Sequence, residues 1–320
     1  TNLLYNIIKT PARWAIKLYC RNIIINNKEI LQCNGPLLIA CNHPNSFLDA
    51  IIIATLFDKP IYSLTRGDTF KKKWHAALLN SLNMLPVYRM SEGAENLNEN
   101  YNTFAKCKKI FKQNGIVLIF SEGLCINEWK LRPLKKGTAR LSINSWEENI
   151  DVKIIPAAIN YQSFTSFGKN IQLNFGNIIT KNDIQLTNGH GNSIHEFNHA
   201  LKQELKKCIV EADHENVQLI RNQFEIKQSF LKRILLFLPG MAGMILHAPL
   251  FIPVQQLSWH KAKPFCHYDS VMVGLLFILY PFYLLLGGWL LHYLFGGYWW
   301  LLIWMMPVLA WCYVQGKKQF

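Results

Sequence analysis

His43 and Asp49 are the residues from which chemistry can be argued. They lie in Ile39-Ala40-Cys41-Asn42-His43-Pro44-Asn45-Ser46-Phe47-Leu48-Asp49, where an apolar strand-like run gives way to an apolar helix-like run. An imidazole can take a proton from a hydroxyl near neutral pH, and a carboxylate can fix its tautomer and stabilise the imidazolium. Six helical steps turn about 600°, so the pair does not share a helix face and His43 has to stand in the turn before the helix. Pro44 agrees, because a residue preceding proline avoids helical angles. The same residues also have a purely structural explanation. Ser46 is a good N-cap, and Asp49 three residues on would make an acidic version of the capping box, leaving His43 an ordinary turn histidine.

The chain has no G-x-S-x-G elbow and no Cys-Gly motif around a reactive cysteine. If His43 is a base, the hydroxyl it activates belongs to a substrate, and transfer is direct rather than through a covalent enzyme intermediate.

The elements that must position the pair alternate along the chain. Short apolar runs rich in β-branched residues predict strands at 36–42, 61–66, 115–121, 152–161 and 171–179. Helices are expected at about 46–57, 68–82, 95–113 and 136–146, and a polar helix over roughly 193–225 closes the globular part. The alternation predicts an α/β fold with a largely parallel sheet flanked by helices.

The rest of the chain is apolar. Residues 3–20 mix apolar residues with Lys9, Arg13 and Lys17 and lack the apolar core and cleavage site of a signal peptide. They predict an interfacial amphipathic helix broken near Pro11, although a helix docked on the body fits the same pattern. Residues 234–254 carry no charge but hold Pro239, Pro249, Pro253, Gly240 and Gly243, which predicts a re-entrant or interfacial segment rather than a straight helix. Residues 270–316 have no Lys, Arg, Asp or Glu. A span needs roughly 20 residues, so transmembrane helices are expected at 271–294 and 298–315, turning at Gly296-Gly297. Lysines and arginines before and after this hairpin place both ends in the cytoplasm. The expected organisation is a membrane-interface region at 1–30, a catalytic domain at 31–230 and a membrane region at 231–320.

Lys and Arg outnumber Asp and Glu by 34 to 20. Beside apolar spans, such a balance fits anionic membrane lipids as partners. Nucleic acid is not expected, since no basic region with heptads, zinc-finger spacing or RNP aromatic motif is present. The eight cysteines form no C-x-x-C pair and suggest neither a metal site nor a disulfide framework.

Four blocks then occur in order: NHPNSFLD at 42–49, LPVYR ending at Arg89, FSEG at 120–123 followed by KKG at 135–137, and IIPAAI at 154–159. Over about residues 35–180 the chain resembles the phospholipid/glycerol acyltransferase family, which includes lysophosphatidate and glycerol-3-phosphate acyltransferases. The resemblance implies that His43 is the base on the acceptor hydroxyl and that Asp49 orients it. The hydroxyl would attack an acyl thioester of acyl carrier protein or coenzyme A. Arg89 would bind the acceptor head, Glu122 and Gly123 would shape the acceptor site, and Arg132, Lys135 and Lys136 would add positive charge. No metal or redox cofactor is implied, and the expected setting is a bacterial-type inner (cytoplasmic) membrane with the site on the cytoplasmic face.

Two departures bear on the acceptor. Five residues separate His43 from Asp49, where four are usual in the family. Cys125 stands where an arginine often binds phosphate, and a thiol cannot supply that bidentate fork. The expected reaction is acylation of 1-acyl-glycerol 3-phosphate to phosphatidate. The alternatives are glycerol 3-phosphate, a non-phosphorylated lysolipid such as a lyso-amino-acid lipid, or a catalytically silent lipid-binding scaffold.

Overall fold

The computed structural model describes residues 2–88, 99–186, 190–213, 216–262, 266–297 and 300–319. The strands are β1 (Asn22–Ile25), β2 (Leu37–Cys41), β3 (Ile61–Arg66), β4 (Met84–Val87), β5 (Ile116–Phe120), β6 (Lys153–Tyr161) and β7 (Asn170–Phe175). They form one sheet in the order β1-β7-β6-β2-β5-β3-β4. Every pairing is parallel except that of β6 with β7. The fold is therefore α/β with a largely parallel sheet flanked by helices, as the alternation of apolar runs predicts.

Both faces of this sheet are covered, which is why its central strands are continuously apolar. Leu37, Ile39 and Cys41 point into one core, and Leu38 and Ala40 into the other. The first core is closed by helices α1 (Leu3–Tyr19) and α2 (Phe47–Leu56), through Ile16, Tyr19, Leu48 and Ile52. The second is closed by α4 (Glu99–Lys112), α5 (Lys136–Glu147) and α6 (His190–Cys208), through Phe111, Trp146 and Phe197. The short α3 (Lys73–Ser81) links β3 to β4, and α7 (Val217–Phe224) follows α6.

Several expectations change. Two strands, β1 and β4, escape the sequence reading because each is only four residues long. The strand expected at 171–179 stops at Phe175. The single helix expected over 193–225 is two. Asn160 and Asn174, from neighbouring strands, both donate to the Cys208 carbonyl, and Asn160 accepts from the Val210 N–H. Those side chains terminate α6. Nor does Pro11 break the first helix. Lys9 and Arg13 donate to the carbonyls of Phe57 and Thr55 at the end of α2, and this docking holds α1 through its proline. Leu3, Ile7 and Trp14 remain exposed on its outer face.

The apolar remainder forms α8 (Phe230–Ala262), α9 (Tyr268–Phe295) and α10 (Trp300–Gly316). Phe230–Ala262 and Tyr268–Leu294 are long and apolar enough to cross a membrane. The segment at 234–254 is not broken: α8 runs through Pro239, Pro249 and Pro253. Prolines are tolerated in apolar helices that pack on neighbours. Gly240 and Gly243 bring α8 close to α10. A Cβ on Gly243 would stand 2.2 Å from the Leu309 carbonyl oxygen and 2.7 Å from its carbon.

Gly243→Val should therefore push α8 off α10. Overpacking typically costs about 1–3 kcal/mol, which should appear as a lower thermal midpoint of the detergent-solubilised protein. An unchanged midpoint would show that this contact is dispensable.

Candidate active site

β2, β5 and β6 lie side by side at the centre of the sheet, with Cys41 level with Phe120 on one side and Ala157 on the other. Their carboxyl ends deliver the turn after β2, the turn after β5 and the end of β6 to one place. Ligands of open α/β sheets bind outside such strand ends. Asn42 fixes the first turn laterally: its amide donates to the Ile159 carbonyl and accepts from the Ile159 N–H, at 3.1 and 2.9 Å.

The structure brings His43 and Asp49 together. His43 Nδ1 is 2.9 Å from Asp49 Oδ2. Asp49 is fully buried, whereas the His43 side chain keeps 17% of its surface. A carboxylate partner holds the proton on Nδ1, which leaves Nε2 as the ring atom that can accept one. Phe120 stacks on the imidazole with ring centroids 3.8 Å apart and fixes its plane. The capping-box explanation does not hold. Ser46 makes no side-chain cap, and both oxygens of Asp49 are otherwise engaged. Oδ2 also accepts the Asn45 N–H at 2.8 Å, and Oδ1 accepts the Tyr161 hydroxyl at 2.7 Å.

Tyr161 was not among the sequence candidates. It ends the apolar run that forms β6, and nothing in a single sequence separates it from a core tyrosine. Burial, and then the charge of Asp49, hold its pKa well above that of an ordinary phenol. It therefore stays protonated and donates.

Glu122 is buried between two loops. Its Oε2 accepts the His43 N–H at 3.0 Å, and its Oε1 accepts the Arg132 N–H at 2.9 Å. Burial raises its pKa, while the two N–H bonds pull it back. Glu122 thus braces His43 from behind. Gly123 has φ of +67°, and a Cβ there would lie 3.0 Å from Lys135 Cγ, so the turn after β5 demands glycine. Lys135 and Lys136 are exposed, and Arg132 spends its guanidinium on Glu128. Arg89 lies outside the described residues. Cys125 lies against the turn, its Sγ 2.9 Å from the Ser46 nitrogen. Burial, and then Asp49, push its thiol pKa up, so it is not a thiolate nucleophile. Ser46 points its hydroxyl at His267 Nδ1, 2.6 Å away. Neither residue offers His43 a hydroxyl or thiol to activate.

Residues 22–160 match the family model described as Acyltransferase. A 1-acyl-sn-glycerol-3-phosphate acyltransferase of Bacillus subtilis (strain 168) is 24% identical over 214 residues, covering 67% of this chain and 92% of that one. Among solved structures, the 1-acyl-sn-glycerophosphate (LPA) acyltransferase PlsC of Thermotoga maritima aligns over 69% of this chain and 82% of its own, with a TM-score of 0.46 and 11% identity.

The geometry predicts graded losses. His43→Ala should lower turnover by about 10² to 10⁴, the usual worth of a general base. Tyr161→Phe removes one bond to a buried carboxylate. At about 1.5–3 kcal/mol for a bond to a charged group, it should cost roughly tenfold to a hundredfold in kcat. Steady-state kinetics of folded, purified variants would check both. Wild-type turnover by His43→Ala would remove the base from the mechanism.

Proposed function

We propose a substrate, a donor and a membrane setting for this chain, which belongs to the phospholipid/glycerol acyltransferase family and is an O-acyltransferase. The reaction is transfer of a fatty acyl group from an acyl thioester to the hydroxyl of a lysolipid, with 1-acyl-glycerol 3-phosphate as acceptor and phosphatidate as product. One observation carries the chemistry: a histidine whose Nδ1 is held by a buried aspartate while its Nε2 is left for a proton. His43 Nε2 takes the proton of the acceptor hydroxyl as that oxygen attacks the thioester carbonyl. The carbon–sulfur bond then breaks, and the leaving thiolate takes the proton from the imidazolium. Acyl carrier protein or coenzyme A carries the thioester.

A phosphate on the acceptor calls for cations near the site. Arg89, by its place in the LPVYR block, and the exposed Lys135 and Lys136 are the residues we assign to it. The second reading, a non-phosphorylated lysolipid, is favoured by Cys125. Where a phosphate-binding arginine is often found, this chain has a thiol turned inward onto Ser46.

The membrane setting is a hairpin of α9 and α10 with the active site on the cytoplasmic side. Tyr268, Met272 and Val273 at the start of α9 belong to the same core as the sheet, and the end of α10 returns to it. There Gln315 donates to the Arg21 carbonyl at 2.9 Å. Val254 of α8 lies in that core too, and Lys232 near its other end reaches Gln315 at 3.4 Å. Contact of Val254 with the domain core supports α8 lying along the membrane surface rather than crossing.

Competition between lysophosphatidate and a neutral lysolipid at equal concentration should favour lysophosphatidate, and Arg89→Ala should cut its use by about tenfold to a hundredfold. Clear preference for the neutral lipid would promote the second reading and leave His43 and Asp49 in place. For the hairpin, a single cysteine at Gly297 and another at Lys318 should label from opposite sides of intact membranes. Labelling of both from one side would contradict it.

A further inference from the structure

The start of α9 does more than leave the domain. Its N-cap, His267, and two of its first residues grip the turn that carries His43. His267 Nδ1 is 2.6 Å from Ser46 Oγ, the Leu48 N–H donates to Ser270 Oγ at 3.2 Å, and Asn45 Nδ2 donates to Asp269 Oδ2 at 2.6 Å. Asp269 is fully buried and also accepts from Lys169, equally buried, and from the Tyr19 hydroxyl. Its carboxylate therefore ties together α1, the segment before β7 and the catalytic turn. The gripped turn needs holding: Ser46 sits at φ 54°, ψ −137°, a conformation that costs energy and persists only when its surroundings impose it. Asn45 is the shared member. Its side chain answers to Asp269, while its backbone N–H donates to the Asp49 oxygen that accepts from His43.

We propose that the first turn of α9 and its N-cap, His267–Ser270, are a working part of the active site, with Asp269 a positioning residue that sets the Asp49–His43 pair through Asn45. A helix serving only as an anchor needs apolar contact, which Met272 and Val273 already supply. A buried ion pair is a poor source of stability compared with apolar residues of similar volume. Its bonds here all converge on the turn bearing the base or on the elements beside it. The proposal rests on the acyl-transfer reading of His43. It extends the catalytic unit beyond residues 22–160 into the apolar helices.

The test uses the full chain in detergent, with kcat and KM read on whichever acceptor the wild type uses, so that a wrong acceptor sinks the proposed function and not this inference. Asp269→Leu with Lys169→Met removes both charges together and should leave a folded protein. It should lower kcat by about 10²-fold, the scale of a 1 Å misplacement, with KM within about twofold. Asn45→Ala should cause a similar loss. Asn45→Ala added to the Asp269/Lys169 variant should cause little more, because residues acting through one linkage are not additive. Ser270→Ala, which leaves the ion pair intact, should cost several-fold in kcat and serves should the paired variant not fold. Wild-type kcat in the folded Asp269/Lys169 variant or in Ser270→Ala, or fully multiplicative losses for Asn45 and Asp269, would overturn the proposal.

Discussion

A carboxylate with no access to water must be surrounded by donors, and Asp49 is such a carboxylate. It belongs to the first turn of α2, and its three partners come from His43 and Asn45 in the turn before that helix and from Tyr161 at the end of β6. No local segment can meet this requirement. It needs β2 and β6 as neighbours, which the parallel register between them provides. It also needs the helix to start within a few residues of the strand, so that the chain doubles back on its own backbone N–H. The apolar face of α2, through Leu48, Ile52 and Ile53, anchors the carboxylate at a fixed depth. Burial on one side and exposed imidazole edge on the other then follow from where the helix enters the core.

The parts of this arrangement that were legible in the sequence are those fixed by local physics. Continuous apolar runs mark β2, β5 and β6 because a strand covered on both faces has no polar side to show. Pro44 marks the end of the strand region and the turn. The pairing of His43 with Asp49 was suggested by two chemically apt residues at that junction, and it took the four blocks, in their order, to favour it over the capping-box alternative. Tyr161, Asn45, Lys169 and Asp269 were not, because their importance comes from long-range closure. Asp269 is 224 positions from Asn45 and 100 from Lys169. Read alone, Asp269 is merely the last charge before an apolar run. The prolines misled for a related reason. A proline removes one hydrogen bond, a local cost, whereas α1 and α8 are held by contacts spread over their length.

The turn after β5 is held in place by its own block of residues. Each oxygen of Glu122 takes a backbone N–H, one from His43 and one from the loop ahead of α5. That carboxylate could not be replaced by an amide without turning an NH₂ toward an N–H. Gly123 is demanded by its backbone angle and by the nearness of Lys135. Cys125 packs inward onto Ser46. The block therefore acts here as a brace between two loops. In the reaction proposed above, positive charge for a phosphate comes from Arg89 and from side chains that keep their heads in solvent, as Lys135 and Lys136 do.

Asp49 and Asp269 are handled by one strategy. Each is stripped of water and enclosed by donors from separate parts of the chain, and Asn45 serves both, with its main chain toward one and its side chain toward the other. Neither enclosure is an economical route to stability, because desolvating a carboxylate cancels much of what its partners return. What such enclosures supply is geometry: a bonded carboxylate at the base of a helix has few alternatives and tolerates little displacement. In the reaction proposed above, one imidazole nitrogen has to be placed against a hydroxyl arriving on a flexible lipid, and such a site gains from that rigidity, since the substrate contributes none of its own. The apolar helices and the sheet are joined at the turn that carries His43.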